Sequence, residues 1–285
     1  MARARTIEIS ALNVAMHAPH SPERYLELLQ EALRWGRPIR MGEVHWLALG
    51  SVHPSEKGAT GTIYRFVRLD PTEPWLNART GEAATGDDLR EIRLPEHLLP
   101  HLKEFPFEFR ADTHRLYYVS HDRKNRLGPA AVKQFLDALF NPFVLSGEFP
   151  EVNVTVVPDQ ETLARIFAMH RLEKLTIELT RPNADDGADE EARWMDRLER
   201  QHSKKLKLEL TAEREESLSP DAETRSLAAV AADNGRVTAT GRDEAGIKQS
   251  ESTEQKPLTQ AAEINPELQT VFDVLSDTAD MLAAR

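Results

Sequence analysis

The chain contains no cysteine. That excludes disulfides, thiolate metal sites and cysteine nucleophiles, and it fits a cytoplasmic setting. Long apolar runs are also missing. None approaches the ~18 residues of a membrane span, so direct membrane insertion is not expected. Residues 1–6 run straight into a strand-like segment at 7–14, with no apolar stretch or small-residue cleavage site, the pattern of an unexported protein. Glycine-rich phosphate loops, dinucleotide fingerprints and serine-hydrolase elbows do not occur, so no catalytic residue and no cofactor is nominated.

What is present is a globular composition, 40% hydrophobic and 29% charged over 285 residues, enough for one large domain or two ordinary ones. The net charge of −11 looks hostile to nucleic acid, but it is unevenly placed. Residues 1–140 hold 19 Lys+Arg against 18 Asp+Glu, whereas residues 141–285 hold 17 against 29. Much of the acidity lies in polar stretches such as Asp185, Asp186, Asp189, Glu190 and Glu191, so the whole-chain charge describes no single face.

Periodicity predicts an α+β protein. A strand at 7–14 is followed by a helix capped by Ser21, with Pro22 at its first position and Tyr25, Leu28, Leu29 and Ala32 at helical spacing. Strands at 44–52, 62–69 and 115–120 suggest an antiparallel meander. The stretch 72–109, with Leu98, Leu99 and Leu102, reads as a short helix within long connections. Gly128-Pro129 opens a helix carrying Val132, Phe135, Leu136 and Leu139. Beyond it, strands at 152–157, 174–180 and 205–210 alternate with helices at 160–170 and 189–202, a β-α-β-α-β unit with one polar sheet face displaying Asn153, Thr155, Thr176, Glu178, Lys205 and Lys207. A helix at 219–232, an Asn234-Gly235 turn, a polar hairpin across 241–256 and a final amphipathic helix capped by Asn265-Pro266 complete the chain. The expected domains are therefore 1–145, strand-rich; 146–260, a second and movable unit; and 261–285, the C-terminal helix.

Metal and acid–base chemistry has little support. His17 and His20 are spaced H-x-x-H around Pro19, a loop pattern, and no metal site is nominated. Glu43 with His45, and His121 with Asp122, are the groups from which a metal-dependent nuclease or nucleotide-processing effector could be assembled, and that alternative stays open.

Three basic clusters carry the remaining signal: Arg37 and Arg40 after the first helix, Arg123, Lys124 and Arg126 before the Gly128-Pro129 helix, and Lys204, Lys205 and Lys207 leading into a strand. Cations ahead of a helix N-terminus oppose the helix dipole, a conflict that a phosphate would resolve. The polar sheet face has no aromatic side chains for stacking bases, so phosphate contact with double-stranded DNA is the expectation, with all eight residues as candidate contacts. A chain of net −11 would do this through a local cleft, most simply formed by two subunits.

Leu116-Tyr117-Tyr118-Val119, the loop to Gly128-Pro129, the helix bearing Phe135-Leu136 and the late run Val237-Thr238-Ala239, Arg242-Asp243-Glu244-Ala245-Gly246 and Pro257-Leu258 together resemble the RexA phage-exclusion family and related bacterial anti-phage proteins. The chain is also similar to bacterial proteins of this length known only as a domain of unknown function. The resemblance implies a homodimeric, DNA-binding component of an abortive-infection system that closes around a duplex and works with a membrane-protein or effector partner. It assigns no DNA contact to particular residues. A protein-binding regulatory subunit of a defence complex is a further alternative.

Overall fold

Ile7, Ile9 and Ala11 face one way along the first strand and Leu12, Val14 and Met16 the other, and all six are buried. Strand β1 (Arg5–Met16) must therefore be covered on both faces. The computed structural model describes residues 4–17, 21–70, 73–90, 95, 97–145, 147, 149–159, 161–180 and 189–283, and it shows how this is done. After β1 come α1 (Pro22–Trp35), β2 (Ile39–Arg40), β3 (His45–Ser55), β4 (Gly58–Val67), the short pair β5 (Leu76–Asn77) and β6 (Glu82–Ala83), α2 (Gly86–Arg90), β7 (Lys103–Arg110), β8 (Arg115–Asp122), β9 (Asn125–Arg126), α3 (Pro129–Leu139) and β10 (Val152–Val156). Then follow α4 (Thr162–Phe167), β11 (Arg171–Thr180), α5 (Asp189–Arg200), β12 (Lys205–Thr211), α6 (Ala222–Asn234), β13 (Gly235–Arg242), β14 (Lys248–Ser252), β15 (Thr259–Ile264) and α7 (Val271–Ala283).

A nine-stranded antiparallel sheet runs β10-β1-β8-β7-β4-β3-β2, with β15 sharing the flank of β1 beside β10 and β9 added to β8. On one face lie α1 and α3, whose Tyr25, Leu28, Val132, Phe135 and Leu136 join Leu12, Val14, Phe105, Phe107, Phe109 and Tyr118 in a single core. On the other face α7 buries Val274, Leu275, Ala279 and Leu282 against Ile7, Ile9, Tyr117 and Val119. The C-terminal helix thus belongs to the core of its own chain. A second antiparallel sheet, β12-β11-β13-β14, carries α4, α5 and α6 on one side only, where Ile166, Trp194, Leu198, Leu227 and Ala231 meet Leu175, Ile177 and Val237.

The α+β class and the C-terminal helix stand, and Ser21 caps α1 by accepting from the Arg24 amide. Several details differ from the sequence expectation, each for a physical reason. The segment 152–157 does not open the second sheet; β10 pairs antiparallel with β1, Val154 opposite Val14. Asn153 and Thr155 are therefore not on an open face shared with Lys205. Thr155 donates its hydroxyl to the Asp233 carbonyl at the end of α6, and Asn13 donates to the Asp233 carbonyl and Asn234 Oδ1, both at 3.2 Å. This polar docking, with Arg115 3.7 Å from Asp233, ties the second sheet to the first. Strand β7 was hidden by Pro106, which sits opposite Thr62 of β4 just beyond the part of β7 that pairs with β8, where a missing N–H is tolerated. Leu98, Leu99 and Leu102 are exposed and not helical. The last helix begins later than Asn265-Pro266, at a reciprocal cap: the Thr270 amide donates to Asp273 and the Asp273 amide to the Thr270 hydroxyl. No turn forms at Asn234-Gly235, because α6 leads directly into β13. A Cβ at Gly235 would lie 1.9 Å from the Glu178 carbonyl oxygen, so only glycine fits this close approach of the two strands. His20, Asp185 and Asp186 lie outside the described residues, as do the side chains of Asp189 and Glu190.

Candidate nucleic-acid interface

Alternation builds the site, interrupted once in β11 by a register shift between Leu172 and Lys174 that lets Glu173 join Lys174 on the same side. In β11 Leu175, Ile177 and Leu179 are fully buried under the helices while Lys174, Thr176, Glu178 and Thr180 point the other way; in β13 Val237 and Ala239 are buried and Arg236, Thr238, Thr240 and Arg242 oppose them. Register then places Lys207, Glu178 and Arg236 in one row across three strands, and Thr211, Lys174 and Thr240 in another. Among the described residues no helix packs on this side of the sheet.

On this open face cations outnumber carboxylates, and three carboxylates are shared. Glu178 accepts from Lys205 at 2.8 Å and Arg236 at 3.1 Å, with Lys207 3.8 Å away. Glu209 lies 2.8 Å from Lys174 and 3.8 Å from Lys207. Glu173 accepts from Arg242 at 2.9 Å and from Arg171 Nε at 3.0 Å. The hydrogen bond from Lys205 holds the Glu178 carboxyl below the usual range, Lys174 does the same for Glu209, and Arg171 with Arg242 for Glu173. Counting Glu254, 3.6 Å from Arg236, six cations stand among four carboxylates, which leaves a locally positive surface on an acidic chain. Side-chain exposure of the six cations runs from 33% at Arg171 to 54% at Lys207.

The eight nominated residues fall in different places. Lys205 and Lys207 are on this face. Lys204, in the preceding turn, reaches across to Glu151 before β10 at 2.5 Å and serves the joint between the two sheets. Arg123 and Lys124 form the exposed tip of the β8–β9 hairpin, where Arg123 adopts φ 56° and its carbonyl meets His121 Nε2 at 2.8 Å. Arg126 is 3.4 Å from Glu8. No side chain caps the following helix, whose cap residue Gly128 is extended. Arg37 stacks over Trp35 at 5.8 Å, and Arg40 donates to the Gly42 and Glu43 carbonyls, closing the β2–β3 turn. Arg40 is thus occupied by its own backbone.

Of the groups of the nuclease alternative, His121 and Asp122 are likewise engaged. Asp122 accepts a bidentate pair from Arg5 at 2.8 and 3.0 Å, and His121 lies 3.5 Å from Glu8. Glu43 precedes β3 instead of alternating within it. Among the described residues no group of three His, Asp or Glu side chains is arranged to hold a metal ion.

Lys174 and Arg236 escaped notice as site residues because Lys174 directly follows Glu173, which cancels its charge along the chain, and Arg236 is a lone cation between Gly235 and Val237. The usable signal was their period of two, Lys174-Thr176-Glu178 and Arg236-Thr238-Thr240, which charge clustering along the chain does not reveal.

These features define an α+β protein of two main antiparallel sheets, one clad on both faces and one presenting an open cationic face. A family described as a domain of unknown function, DUF4747, matches residues 5–280, and the chain belongs to it. No curated protein matches the chain. No helix among the described residues is long and apolar enough to cross a membrane.

Proposed function

We propose that this protein is a non-enzymatic nucleic-acid-binding component that holds double-stranded DNA through its phosphates, on the open face of the four-stranded sheet. The observation that carries the reading is the sharing of Glu173, Glu178 and Glu209 among six cations on a face with no covering helix. Phosphate oxygens can exchange with these carboxylates as partners of the same Lys and Arg side chains, and the charge-assisted geometry is already in place. The face has threonines and no aromatic side chains, which favours backbone contact over base stacking. Arg123 and Lys124, exposed at the tip of a hairpin on the other sheet, supply a second contact point. Participation in phage exclusion as a dimer, with an effector or membrane-protein partner, is the biological setting that the RexA-like sequence pattern suggests.

The test is fluorescence anisotropy of a short labelled duplex against the full chain over a range of salt. Sequence-independent binding that weakens linearly in log–log salt is expected, and joint replacement of Lys205, Lys207 and Arg236 by Ala should lower the slope by up to about three. Folded protein that binds no duplex at low salt would refute the proposal.

A further inference from the structure

Strand β12 is the outermost strand of its sheet, paired with β11 on one side, and among the described residues no strand pairs with its other side. The ladder determines what that outer side carries. Just past the end of β12 the Ala212 amide donates to the Glu173 carbonyl at 2.8 Å. Bonding direction alternates along an antiparallel strand, so the backbone groups of Leu206, Leu208 and Leu210 point into β11. Those of Lys205, Lys207, Glu209 and Thr211 point outward. The Ser203 hydroxyl covers the Lys205 carbonyl at 3.0 Å. The rest is a flat edge without proline or bulge, a template for another strand.

The sequence of the strand, Lys-Leu-Lys-Leu-Glu-Leu-Thr, selects that other strand. Turned antiparallel on itself about Leu208, it places Lys207 opposite Glu209 of the second copy, Leu206 opposite Leu210 and Lys205 opposite Thr211. Charge is complementary, the leucine sides coincide, and the opposed residues are those whose backbone groups point outward, so they form hydrogen-bonded pairs. Moving the axis one residue either way sets Lys207 against itself or Glu209 against itself, and a half-residue shift sets leucines against charges. Leu206, Leu208 and Leu210 are only half-buried, whereas Leu175, Ile177 and Leu179 on β11 are fully buried. Apolar surface therefore remains at the edge for a second copy to cover.

We infer that two copies of this chain join edge to edge through β12, antiparallel about a two-fold axis at Leu208, into a continuous eight-stranded sheet. An axis perpendicular to the sheet keeps both open faces on the same side, so the pairing deepens the DNA-binding proposal by doubling the cationic surface, yet it can be tested with no DNA present.

The experiment is sedimentation equilibrium on the full chain, with circular dichroism as the folding control. The wild type should dimerise, and Glu209→Lys and Lys207→Glu should each raise the dissociation constant about tenfold or more. The two variants carry like charge of opposite sign at both central positions, so an equimolar mixture should recover the wild-type affinity as a heterodimer. A wild type that stays monomeric at its highest soluble concentration, a dimer that neither variant weakens, or a mixture no tighter than the variants alone would overturn the inference.

Discussion

The nine-stranded sheet holds one buried ion-pair network that serves a single purpose; on the open face of the four-stranded sheet the cations are accessible and share their carboxylates. Arg110 and Glu108 on β7 are each only 3% exposed. They pair with one another, while Arg110 donates to Asp280 at 2.8 Å and to the Ser276 carbonyl at 3.0 Å, fastening α7 to the sheet with help from Lys57, 2.6 Å from Asp280. Such a network is expensive to break because any group left alone stays desolvated. On the open face Lys174, Lys205, Lys207 and Arg236 keep contact with water and can change partners at little cost. The contrast separates a charge that holds the fold from a charge free to meet a ligand.

The largest expected effect is on the first kind. Arg110→Leu strands Glu108 without its partner and should cost about 3–5 kcal/mol in urea denaturation; a loss below about 1 kcal/mol would put the two regions on the same footing. Next, Gly235→Ala forces β13 away from the Glu178 carbonyl and should cost about 1–3 kcal/mol. Hydrogen exchange should show the loss in β11 and β13 while β1 and β8 keep their protection. Thr270→Ala removes the cap of α7 and should cost about 1 kcal/mol. The smallest effect is expected on the open face, where Glu178→Gln should cost less than about 1 kcal/mol yet tighten duplex binding by leaving Lys205 without its carboxylate and Lys207 and Arg236 with one each, Glu209 and Glu254. Because the Glu178 carboxyl titrates below its usual 4.5, its ion pairs are fully formed above that value and are lost as pH falls through the lowered one. Stability measured between pH 5 and 8 should therefore not report on them.

The first half of this fold was largely legible in the sequence. Tyr25, Leu28 and Leu29 recur at helical spacing behind a serine cap, buried residues alternate over 47–49 of β3 and 59–63 of β4, and β8 is a continuous apolar run from Leu116 to Val119, covered on both faces. Phe105, Phe107 and Phe109 alternate just as well, but Pro106 and the charged neighbours disguised them. The placement of 152–157 was not legible, since β10 and β11 carry similar alternation and only long-range pairing decides which sheet takes each. The same limit applies to the site. Lys205 and Lys207 stood out as a cluster along the chain, but Lys174 and Arg236 join them only through cross-strand register, and Arg40, which looked equally basic, is taken up by the carbonyls of Gly42 and Glu43.

The account rests on the open sheet face being where a polyanion binds. The most direct test compares duplex binding by the wild type with that by the Lys205→Ala, Lys207→Ala, Arg236→Ala triple variant, at fixed low salt and with unfolding curves confirming the fold. A loss of about tenfold or more is expected, similar for every duplex sequence, with stability nearly unchanged. Equal affinity of the two proteins would contradict it.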